Sequence, residues 1–206
     1  MEDAILVDAG TGNLHSVFNA LKALGYSIRV TSDPEDLARP NRVILPGVGA
    51  FGRFMEGLTA RRLVEPIQKS VKRGDPLLAI CVGMQALFEY SEELGRHAGL
   101  SILEGCVIRF PETAGLKVPL TGWNQLWPVK PHPILKNITP GAYAYFNHSY
   151  YCVPENMEDT VARTDYGFSF TSAAQRGAVI AVQFHPEKSQ KVGLQILKNF
   201  MEMTDD

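Results

Sequence analysis

Short apolar runs alternate with helical patterns in the first half of the chain. Four runs rich in apolar residues and bounded by turn residues predict strands: Ala4 to Val7, Ser27 to Val30, Arg42 to Leu45 and Pro76 to Ile80. Apolar residues recur at helical spacing from Leu14 to Leu24 and stop before Gly25, and again from Leu63 to Val71, stopping before Gly74. This order predicts an α/β fold with an open, mostly parallel twisted sheet and flanking helices, whose strand carboxyl ends form the ligand site.

The second half has a different texture, with strands joined by turns. The candidate strands from Gly105 onward are Cys106 to Phe110, Tyr143 to Tyr151, Phe168 to Ala174 and Val179 to Phe184. We therefore expect an additional, more antiparallel part in this half. A closing helix is predicted from about Ser189 to Met203, followed by a polar tail. No repeat or linker interrupts the sequence, which predicts one domain over residues 1–206.

Composition is typical of a globular protein with a sizeable core, since 45% of the 206 residues are hydrophobic and 20% are charged. Twenty Lys and Arg against 22 Asp and Glu give a net charge of -2, which argues against a nucleic-acid partner. Neither a signal peptide nor a membrane span is indicated, so we expect a cytoplasmic protein without a membrane partner. The cysteines Cys81, Cys106 and Cys152 are spaced for neither a zinc site nor a disulfide framework.

The sharpest chemical signal is an apolar strand that runs straight through Cys81 into a predicted helix. This pattern is typical of a nucleophile elbow, in which small neighbours such as Ala79 and Gly83 relieve crowding. The helix N-terminus would favour the thiolate, and the Val82 N–H would point at a developing oxyanion. A buried structural cysteine is the alternative, and it is the commoner fate of a cysteine in an apolar run.

A cysteine nucleophile needs a base, and the base needs a group that orients it. His185 follows a β-rich apolar run, and Glu187 stands two residues further on, across the stiff Pro186. Glu187 could accept the ring N–H and hold the imidazole in its useful tautomer. The alternative is a loop histidine beside a solvated glutamate.

Donors for an oxyanion could come from the end of the third predicted strand. Gly47 and Gly49 there flank Val48, and such a segment can expose backbone N–H groups to a tetrahedral intermediate. A plain turn after a buried strand is the alternative. Together, the cysteine elbow, the His-Pro-Glu segment and this glycine segment indicate an active site more specifically than any one of them does. Each of the three ends a separate predicted strand.

Together these motifs resemble the class I, triad-type glutamine amidotransferases, and among them the glutaminase subunits of imidazole glycerol phosphate synthase. The matching segments are Asp8 to Asn13, Leu45 to Phe51, Ile80 to Gln85, Gly122 to Asn124, Tyr145 to Tyr151 and Gln183 to Ser189. Met84 separates this subgroup from other amidotransferases, because those that act in anthranilate, GMP and carbamoyl phosphate synthesis typically carry histidine at this position. The chain departs from the usual pattern at Ala9, Ala79, Thr121 and Asn147.

The resemblance implies a flavodoxin-like glutamine amidotransferase fold and a role for each matching residue. Cys81 is the expected nucleophile, His185 the general base and then acid, and Glu187 the group that orients it. Val82 with Gly47 or Val48 would form the oxyanion hole. The expected glutamine-binding residues are Gly49, Gln85, Glu93, His148, Ser149 and Tyr150.

The resemblance also implies a heterodimer with a (β/α)8-barrel cyclase subunit, which would use the ammonia to make imidazole glycerol phosphate and AICAR in histidine biosynthesis. The positions that match its docking surface are Asn13, Trp123, Asn124 and Lys188. We expect this partner to activate the chain allosterically. We expect the reaction to need no metal or organic cofactor. Two alternatives stay open: a free-standing Cys-His-Glu amide or peptide hydrolase of the same fold, and a non-catalytic assembly subunit.

Overall fold

The computed structural model describes residues 2–11, 14–39, 41–112 and 116–203, so Asn13 and the polar tail lie outside the described residues. The α-helices are α1 (Leu14–Ala23), α2 (Phe51–Ala60), α3 (Val64–Arg73), α4 (Val82–Ala86) and α5 (Gln190–Glu202). The larger strands are β1 (Ala4–Val7), β2 (Ile28–Thr31), β3 (Val43–Gly47), β4 (Leu77–Cys81), β7 (Gly105–Arg109), β8 (Leu120–Pro128), β9 (Ala142–His148), β10 (Tyr150–Pro154), β11 (Thr160–Asp165), β12 (Ser169–Arg176) and β13 (Val179–Val182). Two short strands, β5 (Tyr90–Ser91) and β6 (His97–Ala98), lie between α4 and β7.

Parallel strands form one half of a nine-stranded sheet. The order β2-β1-β3-β4-β13 is parallel throughout. The sequence predicted this for the first four strands, whereas β13 was expected in the more antiparallel half. Every residue of β1, β3, β4 and β13 is buried. Strands covered on both faces need continuous apolar runs, which explains why these segments could be predicted as strands from the sequence.

Antiparallel strands complete the sheet in the order β13-β12-β11-β8-β9, and a smaller sheet has the order β10-β7-β5-β6. The predicted α/β fold with a more antiparallel C-terminal half is therefore confirmed. Strands β8 and β11 were not predicted. Along β8 exposed residues alternate with buried or half-buried ones, except at the half-buried Gln125, as expected of a strand with one wet face.

One strand prediction was wrong in its extent. The sequence suggested a single strand from Tyr143 to Tyr151, but β9 ends at His148 and pairs with β8, while β10 begins at Tyr150 and pairs with β7. Between them the Ser149 carbonyl accepts the N–H of Phe110, 3.0 Å away. Apolar alternation continues across this point without Gly or Pro, so it cannot show that the strand changes partner.

Helix ends follow the predicted glycines. Gly74 caps α3 in the left-handed conformation with φ 91°, and its N–H donates to the Ser70 and Val71 carbonyls. Gly25 has φ 93° just beyond α1. Across the described ranges no helix is long and apolar enough to span a membrane.

Candidate active site

Cys81 ends β4 in a strained turn that leads directly into α4. Its φ of 57° and ψ of -112° are rare for a residue with a side chain. Gly83 is required here, since a Cβ would lie 2.0 Å from the Leu45 carbonyl oxygen, and a Cβ on Gly47 would lie 2.6 Å from the Gly83 nitrogen. The end of β3 and the elbow therefore pack backbone against backbone, which brings the Val82 segment beside the third strand.

His185 lies in the turn that follows β13, just before a short 3-10 helix, Pro186–Lys188. Its Nδ1 lies 2.9 Å from Glu187 Oε1, and both side chains are almost completely buried. The backbone of this turn is tied to β9, because His185 N–H donates to the Tyr145 carbonyl at 2.9 Å and Ser189 Oγ donates to the His185 carbonyl at 2.6 Å. The imidazole therefore has little freedom to rotate or shift.

The electrostatics of this site favour a charged imidazole. Burial by itself would lower the pKa of His185, but hydrogen bonds to Cys81 and Glu187, together with their charges, raise the pKa to about 10. Because Nδ1 of His185 is hydrogen-bonded to Glu187, Nε2 is the ring nitrogen that can interact with Cys81. An imidazolium beside a cysteine favours its reactive thiolate form.

A cavity of about 430 Å³ opens beside the elbow and is lined by both Cys81 and His185. Val48 and Val82 also line it, while Gly47 lies next to Val48 at the end of β3. The residues predicted to bind glutamine all line this cavity: Gly49, Gln85, Glu93, His148, Ser149 and Tyr150. The fold thus gathers residues from α4, the small sheet and β9 around one thiol.

Glu93 connects the cavity wall to the start of α2. One of its carboxylate oxygens accepts the N–H of Phe51 at 2.6 Å. Ala50 at the N-cap offers no side-chain bond of its own, so this distant carboxylate supplies the cap. Glu93 therefore lines the cavity and at the same time holds the segment that follows Gly49.

Gln85 and His148 share a backbone acceptor in the cavity wall. Gln85 Nε2 donates to the Tyr150 carbonyl at 3.0 Å, and His148 Nδ1 lies 2.7 Å from the same oxygen. Burial lowers the pKa of His148 to about 4, the bond to Tyr150 opposes this effect, and the charge of His185 adds to it. His148 is therefore neutral near pH 7 and, since a carbonyl only accepts, donates from Nδ1.

The residues predicted for the partner surface have different surroundings. Trp123 is 45% exposed and packs edge-on against Tyr145, whose ring lies 5.8 Å from Lys188 Nζ. Lys188 also lines the cavity. Asn124 is half-buried and donates its amide to the Asp165 carbonyl at 2.9 Å, so its side chain serves an internal contact.

Two departures from the usual family pattern contact each other. Thr121 on β8 is the cross-strand partner of Asn147 on β9, and its Oγ1 donates to Asn147 Oδ1 at 3.1 Å. Asn147 also lines the cavity. The two side chains therefore form one polar pair at the rim of the cavity.

Sequence reasoning assigned no role to several residues that shape the site. Gln183 and Ser189 flank the His-Pro-Glu segment and contact Cys81 and His185 respectively. Strand alternation could have found Gln183, since residues two apart share a face. Pro119, which lines the cavity, carried no such signal.

Comparison with known proteins gives the class first. The family described as glutamine amidotransferase class-I matches residues 5–203. A crystal structure described as a glutamine amidotransferase aligns with a TM-score of 0.75 at 20% identity, covering 97% of each chain, so it shares the fold. The chain belongs to the class-I glutamine amidotransferase family.

Relatives within that family have a narrower name. The imidazole glycerol phosphate synthase subunit HisH of Syntrophotalea carbinolica is 50% identical, over 97% of this chain and 99% of the relative. The subunit of the same name from Moorella thermoacetica is 48% identical, over 98% and 96%. These relatives confirm the resemblance drawn from the motifs.

Proposed function

We propose that the chain hydrolyses glutamine to glutamate and ammonia, and supplies the ammonia to a synthase partner. The carrying observation is that a single cavity holds Cys81 and His185 together with Gln85 and Glu93. Its volume of about 430 Å³ suits a small amino acid. The names of the relatives, which are synthase subunits, support the second half of the proposal.

The first chemical step is attack of the Cys81 thiolate on the carbonyl carbon of the glutamine side-chain amide. The negative charge that develops on the carbonyl oxygen is held by the Val82 N–H and by an N–H of Gly47 or Val48. The close packing of β3 against the elbow supports this arrangement, since it puts both backbone segments beside the same thiol.

Collapse of the intermediate requires a proton on the leaving nitrogen. His185 donates it, ammonia departs, and a glutamyl thioester on Cys81 remains. Water then gives a proton to His185 and attacks the thioester, which releases glutamate and the thiolate. Glu187, bonded to Nδ1, keeps the ring oriented and stabilises its charge in both steps.

Recognition of glutamine is assigned to the cavity wall. Glu93 pairs with the α-ammonium group, since it provides an anionic side chain in the lining. Gly49, Gln85 and the segment His148 to Tyr150 complete the wall. In this assignment Glu93 anchors the ammonium group, and these other residues contact the rest of the substrate.

The partner is proposed to be a (β/α)8-barrel cyclase subunit that forms a heterodimer with this chain and converts the ammonia into imidazole glycerol phosphate and AICAR in histidine biosynthesis. Exposed Trp123 and Lys188, which meet at the Tyr145 ring near the cavity, support a docking surface there. The assignment of Asn13 and Asn124 to this surface stays a prediction. The cytoplasmic location of the protein also stays a prediction.

Glutamate production from glutamine tests the proposal. The purified chain is assayed alone, with a matching cyclase subunit, and with that subunit plus its nucleotide ligand. We expect stimulation by the partner that Cys81→Ala abolishes. Complex formation without glutamate in any mixture would favour the non-catalytic assembly subunit, and equal turnover without the partner would favour the free-standing hydrolase.

A further inference from the structure

Gln183 is a buried amide next to the thiol of Cys81, and no step described so far uses it. Its side chain has no solvent exposure, and its Nε2 lies 3.9 Å from Cys81 Sγ. Its Oε1 faces two other side chains, Gln85 Nε2 at 3.2 Å and Cys152 Sγ at 3.9 Å. One amide thus joins the end of β13 to α4 and β10.

The orientation of this amide follows from a backbone carbonyl. The Tyr150 carbonyl can only accept, so Gln85 must present its NH₂ group there. The same NH₂ group reaches Gln183, which must therefore offer its oxygen. The NH₂ group of Gln183 is then left facing Cys81, and the assignment does not depend on distinguishing O from N directly.

Cys152 supports the same orientation from a third side. It is buried, and burial raises the pKa of its thiol well above the usual range, so it stays protonated and can act as a donor. Its S–H can therefore donate to Gln183 Oε1, 3.9 Å away. Because Gln85 and Cys152 both donate to Gln183 Oε1, the Nε2 of Gln183 faces Cys81 Sγ.

We propose that Gln183 is a positioning residue that stabilises the Cys81 thiolate by donating its amide N–H to Sγ. The inference rests on the proposed function only in taking Cys81 as the nucleophile. Hydrogen bonds to charged acceptors are stronger than those to neutral ones, so the contact favours the thiolate over the thiol. It would act twice, first on the attacking sulfur and later on the thiolate that leaves the hydrolysed thioester.

Alkylation of Cys81 by iodoacetamide, followed across pH by peptide mass spectrometry, tests this without any glutamine turnover. The main variant is Gln183→Met, which keeps the length of the side chain and removes the donor. We expect alkylation near neutral pH to slow by about tenfold, with the same plateau at alkaline pH. The matched control is Gln175→Met, a half-buried glutamine on neighbouring β12, which should follow the wild-type profile.

A second variant keeps the test decisive if Gln183→Met does not fold. Gln183→Glu preserves the shape and the acceptor facing Gln85 and Cys152, and its negative charge should slow alkylation further. Profiles that coincide with wild type in a folded variant overturn the inference, even if glutamate production is normal. A shifted profile supports it, and it does so even if the wild-type chain makes no glutamate, a result that would contradict only the proposed function.

Discussion

The parallel and antiparallel halves of the large sheet contribute different parts of the site. In the parallel half, β4 ends at the proposed nucleophile and β13 leads to the proposed base, and both strands are buried on both faces. In the antiparallel half, β9 carries His148 and Asn147 at the cavity and exposed Trp123 lies on its neighbour β8. Catalytic groups thus come from the covered strands and outer contacts from the strands with a wet face.

The two halves also differ in how closely their backbone segments approach one another. Around Cys81 the backbone segments approach so closely that even a methyl group does not fit. On β8 and β9, Thr121 and Asn147 bond to each other through their side chains. An added atom therefore meets backbone at the elbow, whereas two polar side chains face each other at the rim of the cavity.

The largest expected effect is in the parallel half. Cys81→Ala should lower glutamate formation by at least about a thousandfold, because the other groups cannot form the thioester. Cys106→Ala is the matched control, since Cys106 is a half-buried free cysteine outside the cavity lining. Residual hydrolysis near the wild-type rate in Cys81→Ala would contradict the assigned nucleophile.

The next effect concerns pH and the antiparallel half. Folded His148 has a pKa of about 4, below the ordinary 6.5, so its contribution to stability is full above about 6.5 and lost as pH falls toward 4. His185 contributes almost nothing to this difference, because its raised pKa gives stability that is full below about 6.5 and is lost progressively as pH rises from there to about 10.

His148→Gln removes that titration and keeps a donor for the Tyr150 carbonyl. Urea unfolding near pH 7 and near pH 4 should show that wild type loses up to about 3 kcal/mol more than the variant between the two conditions. Equal losses in the two proteins would mean that His148 does not stay neutral in the folded state.

A smaller effect should come from the packing of the elbow. Gly83→Ala forces the added methyl against the Leu45 carbonyl, so we expect a loss of about 2 kcal/mol in the free energy of unfolding. Gly177→Ala is the comparison, since nothing lies within 4 Å of its added Cβ and only its φ of 56° opposes the change. A loss no larger in Gly83→Ala than in Gly177→Ala would show that the elbow can relax.

The smallest predicted effect separates two roles of Glu93. Glu93→Gln removes the charge proposed to pair with the α-ammonium group but keeps an acceptor for the Phe51 N–H, so KM should rise by about tenfold with little change in kcat. Glu93→Ala should also lower kcat, because it leaves α2 without its cap. Glu92→Gln, an exposed neighbour, serves as the control. Identical kinetics in the two Glu93 variants would contradict the role of the cap.

The sequence predicted the parallel half well for a physical reason. Continuous apolar runs mark doubly covered strands, and parallel strands end at one edge, so Cys81 and His185 were expected to meet. Strand β8 escaped prediction because its apolar residues follow no regular alternation: the exposed Trp123 and Trp127 are four residues apart, with polar Asn124 and Gln125 between them. The contact between Glu93 and Phe51 spans 42 residues and depends on the path of the intervening chain, which no local pattern encodes.

The turn that carries His185 also covers the outer edge of the nine-stranded sheet. Tyr145 lies on β9, the last strand, and there its N–H donates to Ser189 Oγ while its carbonyl accepts the His185 N–H. An uncovered edge would offer these groups to a strand from another molecule. Loosening the turn would therefore leave two backbone groups of this edge unpaired as well as moving the histidine.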